Sequence, residues 1–446
     1  MPKTICFVHY GIGWKDGVNV VIRNLVQEIQ KQSPDLRLCF LGGQIKEKIL
    51  KEADYKVIPE LLPKRESELT KEQYKDQAQK IAQKLANALK GIEKVVIENP
   101  LMGDYHLSAM LGFLIYLRDY KSKTTQVFFR IHDLYLDNPE YYKVFKKLFS
   151  DSEIKQMLKV PALDKFLIIN HSLKNKLSQL GISQKKIFYL PNGVNQKLFS
   201  QNLNPAQIKE IRESVGVSNN QKLILYPIRV VPRKNIEEAI LLIKFINLLT
   251  EHQYVLVIPG KIDQADPLSQ KYYQKLKELV KLAKFPIIFT NNPFPLEREY
   301  NSVGKLIRYN IGDLYQVSEA IITTSLKEGF GYPYLESWLA KKIIFGRRIK
   351  EVIDDFEKSG LDFNWLYQNF KGLKNNQFNK RIERVKDIIK DVQLTNQVLE
   401  KNRQVIMKQI QVLQKNEEII KNNFKIINQV YNISQVTKNF LNLIGK

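Results

Sequence analysis

The sequence predicts an α/β protein of two doubly wound, mostly parallel sheets, with extra helices at its C-terminal end. Three observations carry this. Short apolar runs of strand length alternate with segments of helical period through most of the chain. A polar stretch, "SQNLNPAQIKEIRESVGVSNNQ", interrupts the alternation around Ser200–Asn220 and reads as a domain boundary. After about Lys380 the strand patterns stop and only helical spacing continues. The expected domains are therefore 1–200, 201–380 and a helical segment 381–446.

"KTICFVHYG" is the first strand, followed by a helix near Val18–Gln32 with Val21, Ile22, Leu25, Val26 and Ile29 at helical spacing. Next come "LRLCFLGG", a polar helical stretch to about Lys90, "KVVIEN", and a helix near His106–Arg118. "TQVFFRIHD", "DKFLIIN" and "KIFYLPNG" complete the first set. Strands apolar along nearly their whole length belong in a parallel sheet covered on both faces. The second set runs "KLILYPIR", helix Asn235–Leu249, "YVLVIPG", helix Leu268–Ala283, "FPIIFTN", a short helix at Gly312–Ser318, "AIITTS", the helix inside "KEGFGYPYLESWLA", and "KIIFG". Beyond it Val385, Ile388, Ile389 and Val392 keep helical spacing without a heptad, which predicts packed terminal helices and no coiled coil.

At 446 residues and 44% hydrophobic, the chain can fill two cores. No run of about 18 apolar residues indicates a transmembrane helix. The opening "MPKTICFVHYGIG" reads as a strand, not a signal peptide. Cys6 and Cys39 each lie in an apolar run, which suggests a reducing compartment and makes the cytoplasm the expected location. The formal net charge of +24 favours anionic partners. It is spread along the chain without a dense basic tract, zinc spacing or RNA-binding aromatic signature, so solvated basic faces are preferred over nucleic-acid binding. Peripheral contact with the anionic inner face of a membrane remains compatible.

Two open α/β domains imply a cleft, and ligands in such sheets bind beyond the C-terminal strand ends. After the first strand, Gly11, Gly13 and Gly17 of "GIGWKDGVN" allow close backbone approach at a helix N-terminus that favours an anion; the same glycines equally serve a tight turn. After "TQVFFRI" stands His132, able to bond a sugar hydroxyl or donate to a developing charge, or simply to neighbour a helix-capping Asp133. Arg229 and Lys234 in "RVVPRKN" can clamp a diphosphate or form a solvated basic loop. Gly260-Lys261 follows "YVLVIP". In "KEGFGYPYLESWLA", Gly329 and Gly331 permit an unusual backbone path and Pro333 suits a first helical turn, whose free N–H groups can bind phosphate. Glu328 is ordinary near a helix N-terminus. Glu336, a turn further on, can accept both hydroxyls of a ribose.

"EGFGYPYLE" resembles the E-x7-E motif of the retaining GT-B glycosyltransferases of family 4, typified by sucrose-phosphate synthases and phosphatidylinositol mannosyltransferases. "IRVVPRKN", "KIFYLPNGVNQKLF", "GDLYQVSEAIITTSLKEGFGYPYLES" and "INHSLKNKL" are similar to further family stretches in order, so the resemblance covers most of residues 1–345. It implies two Rossmann-like domains facing a cleft, with a last helix near Ile433–Ile444 crossing back to the first domain. It implies that Glu328 meets the donor sugar, Glu336 the ribose, and Arg229 and Lys234 the diphosphate. Gly329, Phe330, Gly331 and Tyr332 would present backbone amides to the donor. Gly260 would join them, Gly11, Gly13 and Gly17 would form the first-domain loop, and His132 would sit near the transferring sugar. The implied reaction moves a hexose, with retention, from a UDP- or GDP-sugar to a glycan, lipid or small molecule. Fixed cations can stabilise the departing diphosphate, and with no Asp-x-Asp at a strand end neither a metal nor another cofactor is implied. The sequence departs from the family at Lys341 and Ile343, where Gly and Pro are usual, at Ile228 before Arg229, and in "IIFGRRIKEVIDDF". Tyr332 and Tyr334 are bulkier than the usual aliphatics and could reshape the sugar pocket, and their role is left open. The alternatives are a GT-B epimerase or phosphorylase, and a degenerate, non-catalytic partner or glycan-binding subunit.

Overall fold

The computed structural model describes residues 3–14, 16–62, 69–101, 107–134, 146–160, 162–260, 262, 266–290, 294–373, 377–414 and 417–445. The chain forms two compact units, Met1–Gly193 with Tyr431–Lys446, and Val194–Val430. The change of unit thus falls at Gly193, ahead of the boundary expected at 200. Residues 378–430 belong to the second unit, and no separate body begins at 381. The polar stretch read as the domain boundary contains a helix, Pro205–Ser214, capped by Asn204 and anchored by buried Ile211. Arg212 ties it down by donating to the carbonyls of Ser218 and Gln221 at 2.7 and 2.6 Å. A segment with few apolar residues is held here by side-chain bonds to backbone, which hydrophobic periodicity does not register.

The first unit contains β1 (Thr4–Val8), β2 (Gly11–Ile12), β3 (Arg37–Gly42), β4 (Gln44–Ile45), β5 (Asp54–Val57), β6 (Lys94–Glu98), β7 (Gln126–Ile131), β8 (Lys165–Ile168) and β9 (Ile187–Tyr189). Its main sheet has the order β5-β3-β1-β6-β7-β8-β9, with every pairing parallel. The interior strand residues are buried on both faces, as continuous apolar runs require. Helix Gly17–Gln32 turns Val21, Ile22, Leu25, Val26 and Ile29 inward. The helix expected near His106–Arg118 begins at Leu107, with His106 outside the described residues.

The last helix, Ile433–Leu443, packs on this same unit, with Phe440 stacked on Phe7 at 6.0 Å. Its final carbonyls are met by two ammonium groups at the N-terminal ends of β6 and β8. Lys94 reaches Ile444 and Gly445, and Lys165 reaches Leu443. Cations at a helix C-terminus satisfy orphan carbonyls and oppose the helix dipole, worth about 0.3–1 kcal/mol each. We expect Lys94→Met with Lys165→Met to speed amide exchange across 433–443 selectively, measured by hydrogen exchange and mass spectrometry. Unchanged protection there would contradict the anchoring role.

The second unit contains β10 (Lys222–Leu225), β11 (Tyr254–Ile258), β12 (Ile287–Phe289), β13 (Glu299–Tyr300), β14 (Leu306–Arg308), β15 (Ala320–Thr323) and β16 (Ile344–Gly346). The parallel sheet runs β12-β11-β10-β15-β16. The antiparallel pair β13–β14 and helix Lys350–Lys358 were not foreseen. In both sheets the strand order reverses beside the first strand, between β1 and β6 and between β10 and β15. Those switch points are where a doubly wound sheet opens beyond its strand ends.

Lys341, the departure from a glycine helix stop, takes the glycine conformation all the same. Its φ is 55°. Lys341 N–H bonds Trp338 O at 3.0 Å and Lys342 N–H bonds Ser337 O at 2.8 Å, the paired bonds of a Schellman cap. The cap geometry is kept and the residue pays backbone strain, so Lys341→Gly is expected to stabilise the protein by about 1 kcal/mol. A lower urea midpoint in the variant would show that the nearby Phe424 ring, 5.9 Å from the lysine, outweighs the strain.

Candidate functional site

In the second unit the ends of β10 and β15 converge. Tyr226 follows β10 and is fully buried; its hydroxyl donates to Lys234 O at 2.5 Å and accepts from Thr324 N at 3.0 Å. This one phenol joins the loop after β10 to the loop after β15. Asn235, buried in a left-handed conformation, adds a second tie through Nδ2 to Thr324 O at 3.1 Å. The loops therefore hold Lys234 and Glu328 side by side. Lys234 Nζ donates to Glu328 Oε1, and Arg233 Nη1 donates to Glu328 Oε2 at 3.3 Å and to Lys327 O at 2.9 Å. The Lys234 and Glu328 side chains are only 8% and 10% exposed.

Burial pushes the Glu328 carboxyl up, but Lys234 and Arg233 outweigh it, and it lies below its ordinary value. Burial pushes Lys234 down, Arg233 and Arg229 add to that, and Glu328 opposes them. Arg229 is exposed at the same strand end and has no salt bridge among the described residues. It lies beside Gly260: a Cβ added there would stand 1.5 Å from Ile228 O and 3.0 Å from Arg229 Cα. Gly260 is thus explained by packing of the loop after β11 against the loop after β10. Lys261 lies outside the described residues.

Helix Tyr332–Leu339 starts at Gly331, whose φ is 81° and whose added Cβ would meet Val352 at 2.7 Å. Gly329 is half-buried ahead of it and Phe330 buried, its ring 5.2 Å from that of half-buried Tyr332. Tyr334 is turned into the core. It is 1% exposed, packs edge-on against Phe363 at 5.7 Å, and donates to Arg347 O at 2.7 Å. Two residues further on, Glu336 is half-buried and accepts from Tyr315 Oη at 2.7 Å. Burial pushes its carboxyl up to about 7, with only the Tyr315 bond opposing.

In the first unit, His132 follows β7 and meets Glu98 at the end of β6, Nε2 to Oε2 at 2.7 Å. Arg130 is 1% exposed, has Nη1 3.6 Å from Glu98 Oε1, and donates from Nη2 to Asn192 Oδ1 at 3.1 Å. His9, after β1, bonds Gly11 O at 2.9 Å through Nδ1. The glycine loop is pinned: Gly13 N–H bonds Asn19 Oδ1 at 2.9 Å, and Asp16 caps the helix through Asn19 N–H. An added Cβ would strike Trp14 at Gly11 and Glu47 O at Gly13, whereas Gly17 has open space around it. Packing therefore accounts for Gly11 and Gly13, and the expected anion position at this helix start carries the Asp16 carboxylate.

Sequence reasoning missed Arg233, Tyr226, Tyr315, Glu98, Arg130 and His9. A signal existed for two of them: Glu98 and Arg130 are charges inside otherwise apolar strands, which in a two-face-buried sheet must find partners. Tyr226 and Tyr315 sit in apolar runs as any core aromatic would.

Comparison with known proteins bears on both units. Residues 207–363 match the family described as Glycosyl transferases group 1. A mannosylglucosyl-3-phosphoglycerate synthase from Petrotoga mobilis is 27% identical over 237 residues, 52% of this chain and 43% of that protein. An uncharacterized glycosyltransferase from Methanocaldococcus jannaschii is 25% identical over 175 residues, 39% of this chain and 40% of that protein. The chain thus matches less than half the length of these curated relatives. Among solved structures, a glycosyltransferase from Rickettsia africae has a TM-score of 0.61 at 16% identity, covering 99% of this chain and 97% of that one. HepE from Anabaena, in complex with UDP, has a TM-score of 0.60 at 13% identity and 99% coverage of both chains. Sucrose-phosphate synthase from Thermosynechococcus elongatus has a TM-score of 0.58 at 13% identity, covering 99% of this chain and 98% of that one. The fold is GT-B, with two Rossmann-like units.

Proposed function

We propose that this chain is a retaining glycosyltransferase that moves a hexose from a nucleotide-diphosphate sugar to an acceptor hydroxyl. The observation that carries this reading is the Glu328–Lys234–Arg233 cluster at the joined ends of β10 and β15, inside the stretch that matches the glycosyl transferase family. A carboxylate held between two cations marks a place where anionic charge is already stabilised. An incoming diphosphate takes over Lys234 and exposed Arg229 as partners, which frees Glu328 to meet the donor sugar. When the glycosidic bond to the diphosphate breaks, the fixed cations hold the developing negative charge. Glu336, one turn into the helix, takes the ribose hydroxyls. Attack by the acceptor on the face the diphosphate leaves retains the anomeric configuration.

UDP-glucose leads the donor panel, followed by GDP- and ADP-sugars. The acceptor panel includes a 3-phosphoglycerate glycoside, after the name of the Petrotoga relative, beside glycans and lipids. Among the described residues no helix is long and apolar enough to cross a membrane, and peripheral attachment is checked by vesicle sedimentation at low and high salt. We expect turnover with at least one donor and a product whose anomeric NMR coupling equals that of the donor. An inverted product sinks the retaining mechanism. Failure of every nucleotide sugar to bind favours a non-catalytic GT-B subunit, and interconversion of free donor epimers favours an epimerase.

A further inference from the structure

We infer that Glu98 is a positioning residue for His132: it fixes the ring with the proton on Nε2 and leaves Nδ1 to meet a hydroxyl of the acceptor. The catalytic half of this inference rests on the glycosyl-transfer reading; the geometric half does not.

An ionised carboxylate only accepts, so the 2.7 Å contact between Glu98 Oε2 and His132 Nε2 puts the ring proton on Nε2. Glu98 is ionised in place. Burial pushes its carboxyl up, but Arg130, His132 and His9 together outweigh that and hold it below its ordinary value.

The plain alternative is a structural Arg130–Glu98 ion pair with a histidine beside it. Other buried pairs in this protein show what such a pair looks like. Arg298 grips Asp313 with two bonds of 2.9 and 2.7 Å, and Arg347 grips Glu238 with two of 3.0 and 2.6 Å. Arg130 makes no such fork with Glu98. It stays 3.6 Å away and gives its hydrogen bond to Asn192. The hydrogen bond of Glu98 goes to His132, and Arg130 contributes charge alone.

The backbone is arranged to the same end. Asn99 is buried with φ 55°, a conformation costing about 1 kcal/mol for a residue with a side chain. From there its Oδ1 accepts from both His132 N and Asp133 N, at 3.1 and 3.0 Å. The turn that carries His132 is thereby fixed to the end of β6, as the ring is through Glu98. Among the described residues His9, whose Nδ1 is bonded to Gly11 O, also faces Glu98, Asp16 stands near His9, and Asp133 follows His132 in the chain.

The test uses the full chain labelled with ¹⁵N-histidine. We expect one downfield, slowly exchanging Nε2 proton, assigned by its disappearance in His132→Asn. In Glu98→Gln that proton moves upfield or is lost, and kcat falls about tenfold or more with donor KM held within about twofold. Glu98→Asp, which keeps the charge, retains the proton and recovers part of kcat. A wild-type His132 protonated on Nδ1, or a Glu98→Gln variant with unchanged ring proton and kcat, overturns the inference. Loss of stability in Glu98→Gln without change in either readout assigns Glu98 to structure alone and also overturns it. If Glu98→Gln does not fold, the wild-type tautomer and Glu98→Asp decide. If wild-type protein turns over no donor while the ring proton behaves as stated, the glycosyl-transfer reading fails and the positioning stands.

Discussion

Glu328→Gln is expected to lower donor turnover by a factor of about a hundred or more, and Lys234→Met to do the same. Their effects on stability should differ from their effects on activity. Glu328→Gln leaves the Lys234 ammonium buried beside Arg233 and Arg229 with no counter-charge, at a cost of about 3 kcal/mol near neutral pH. The cost should shrink as pH rises, because Lys234, already pushed down by burial, can give up its proton. Lys234→Met is milder, since Glu328 keeps Arg233 at 3.3 Å. The double variant removes both charges together and should recover most of the lost stability, while activity stays absent. Urea denaturation at pH 7 and 9, beside turnover of the best donor, completes the cycle. Stability losses that simply add would mean the pair is not coupled. Wild-type turnover in Glu328→Gln would remove Glu328 from the chemistry.

Glu336→Gln should make the ligand-free protein more stable and the enzyme worse. The Glu336 carboxyl moves from an ordinary 4.5 to about 7 in the fold. A raised folded value means the native state holds a proton that the unfolded chain has released. Stability is therefore fully present below about 4.5 and is lost as pH rises through about 7. Glutamine carries no such penalty. Allowing for the partial exposure of the side chain, the variant should gain about 1–2 kcal/mol at pH 8 and nothing at pH 4. Donor affinity should fall about ten- to a hundredfold, the loss of a charged acceptor for two hydroxyls. Thermal denaturation at the two pH values and donor titration check both halves. A variant less stable than wild type at pH 8 would show that burial does not strain this carboxylate. A trade of stability for function at one side chain is what a binding group held away from water produces.

Parts of the site were legible in the sequence and others were not. Arg229 and His132 were singled out because they stand just after an apolar run, and Lys234 and Glu328 because they lie in the loops that follow one, where a doubly wound sheet opens; their separate roles came from the family resemblance. Arg233 was missed although it adjoins Lys234. Sequence does not say which of two neighbouring cations turns toward a carboxylate nearly a hundred residues away. Tyr226 was not singled out because the hydroxyl that ties two loops together leaves no mark on hydrophobic spacing. By its place in the motif Tyr334 could have reached a sugar pocket. Its position on the helix turns it instead into the aromatic cluster with Phe363.

By itself the sequence determined the alternation of buried strands and helices, hence two doubly wound sheets, and the strand ends at which functional side chains can stand. These are local and periodic properties: apolar runs bury on both faces, and glycine, proline and caps stop them where they do. Only the tertiary structure decided the partners. The Lys234 ammonium finds Glu328, His132 finds Glu98, and the last helix lays its carbonyls against Lys94 and Lys165 of the first unit. Each contact joins residues distant in the chain, and charge burial decides it: a charge withdrawn from water must be met by whatever the fold brings next to it.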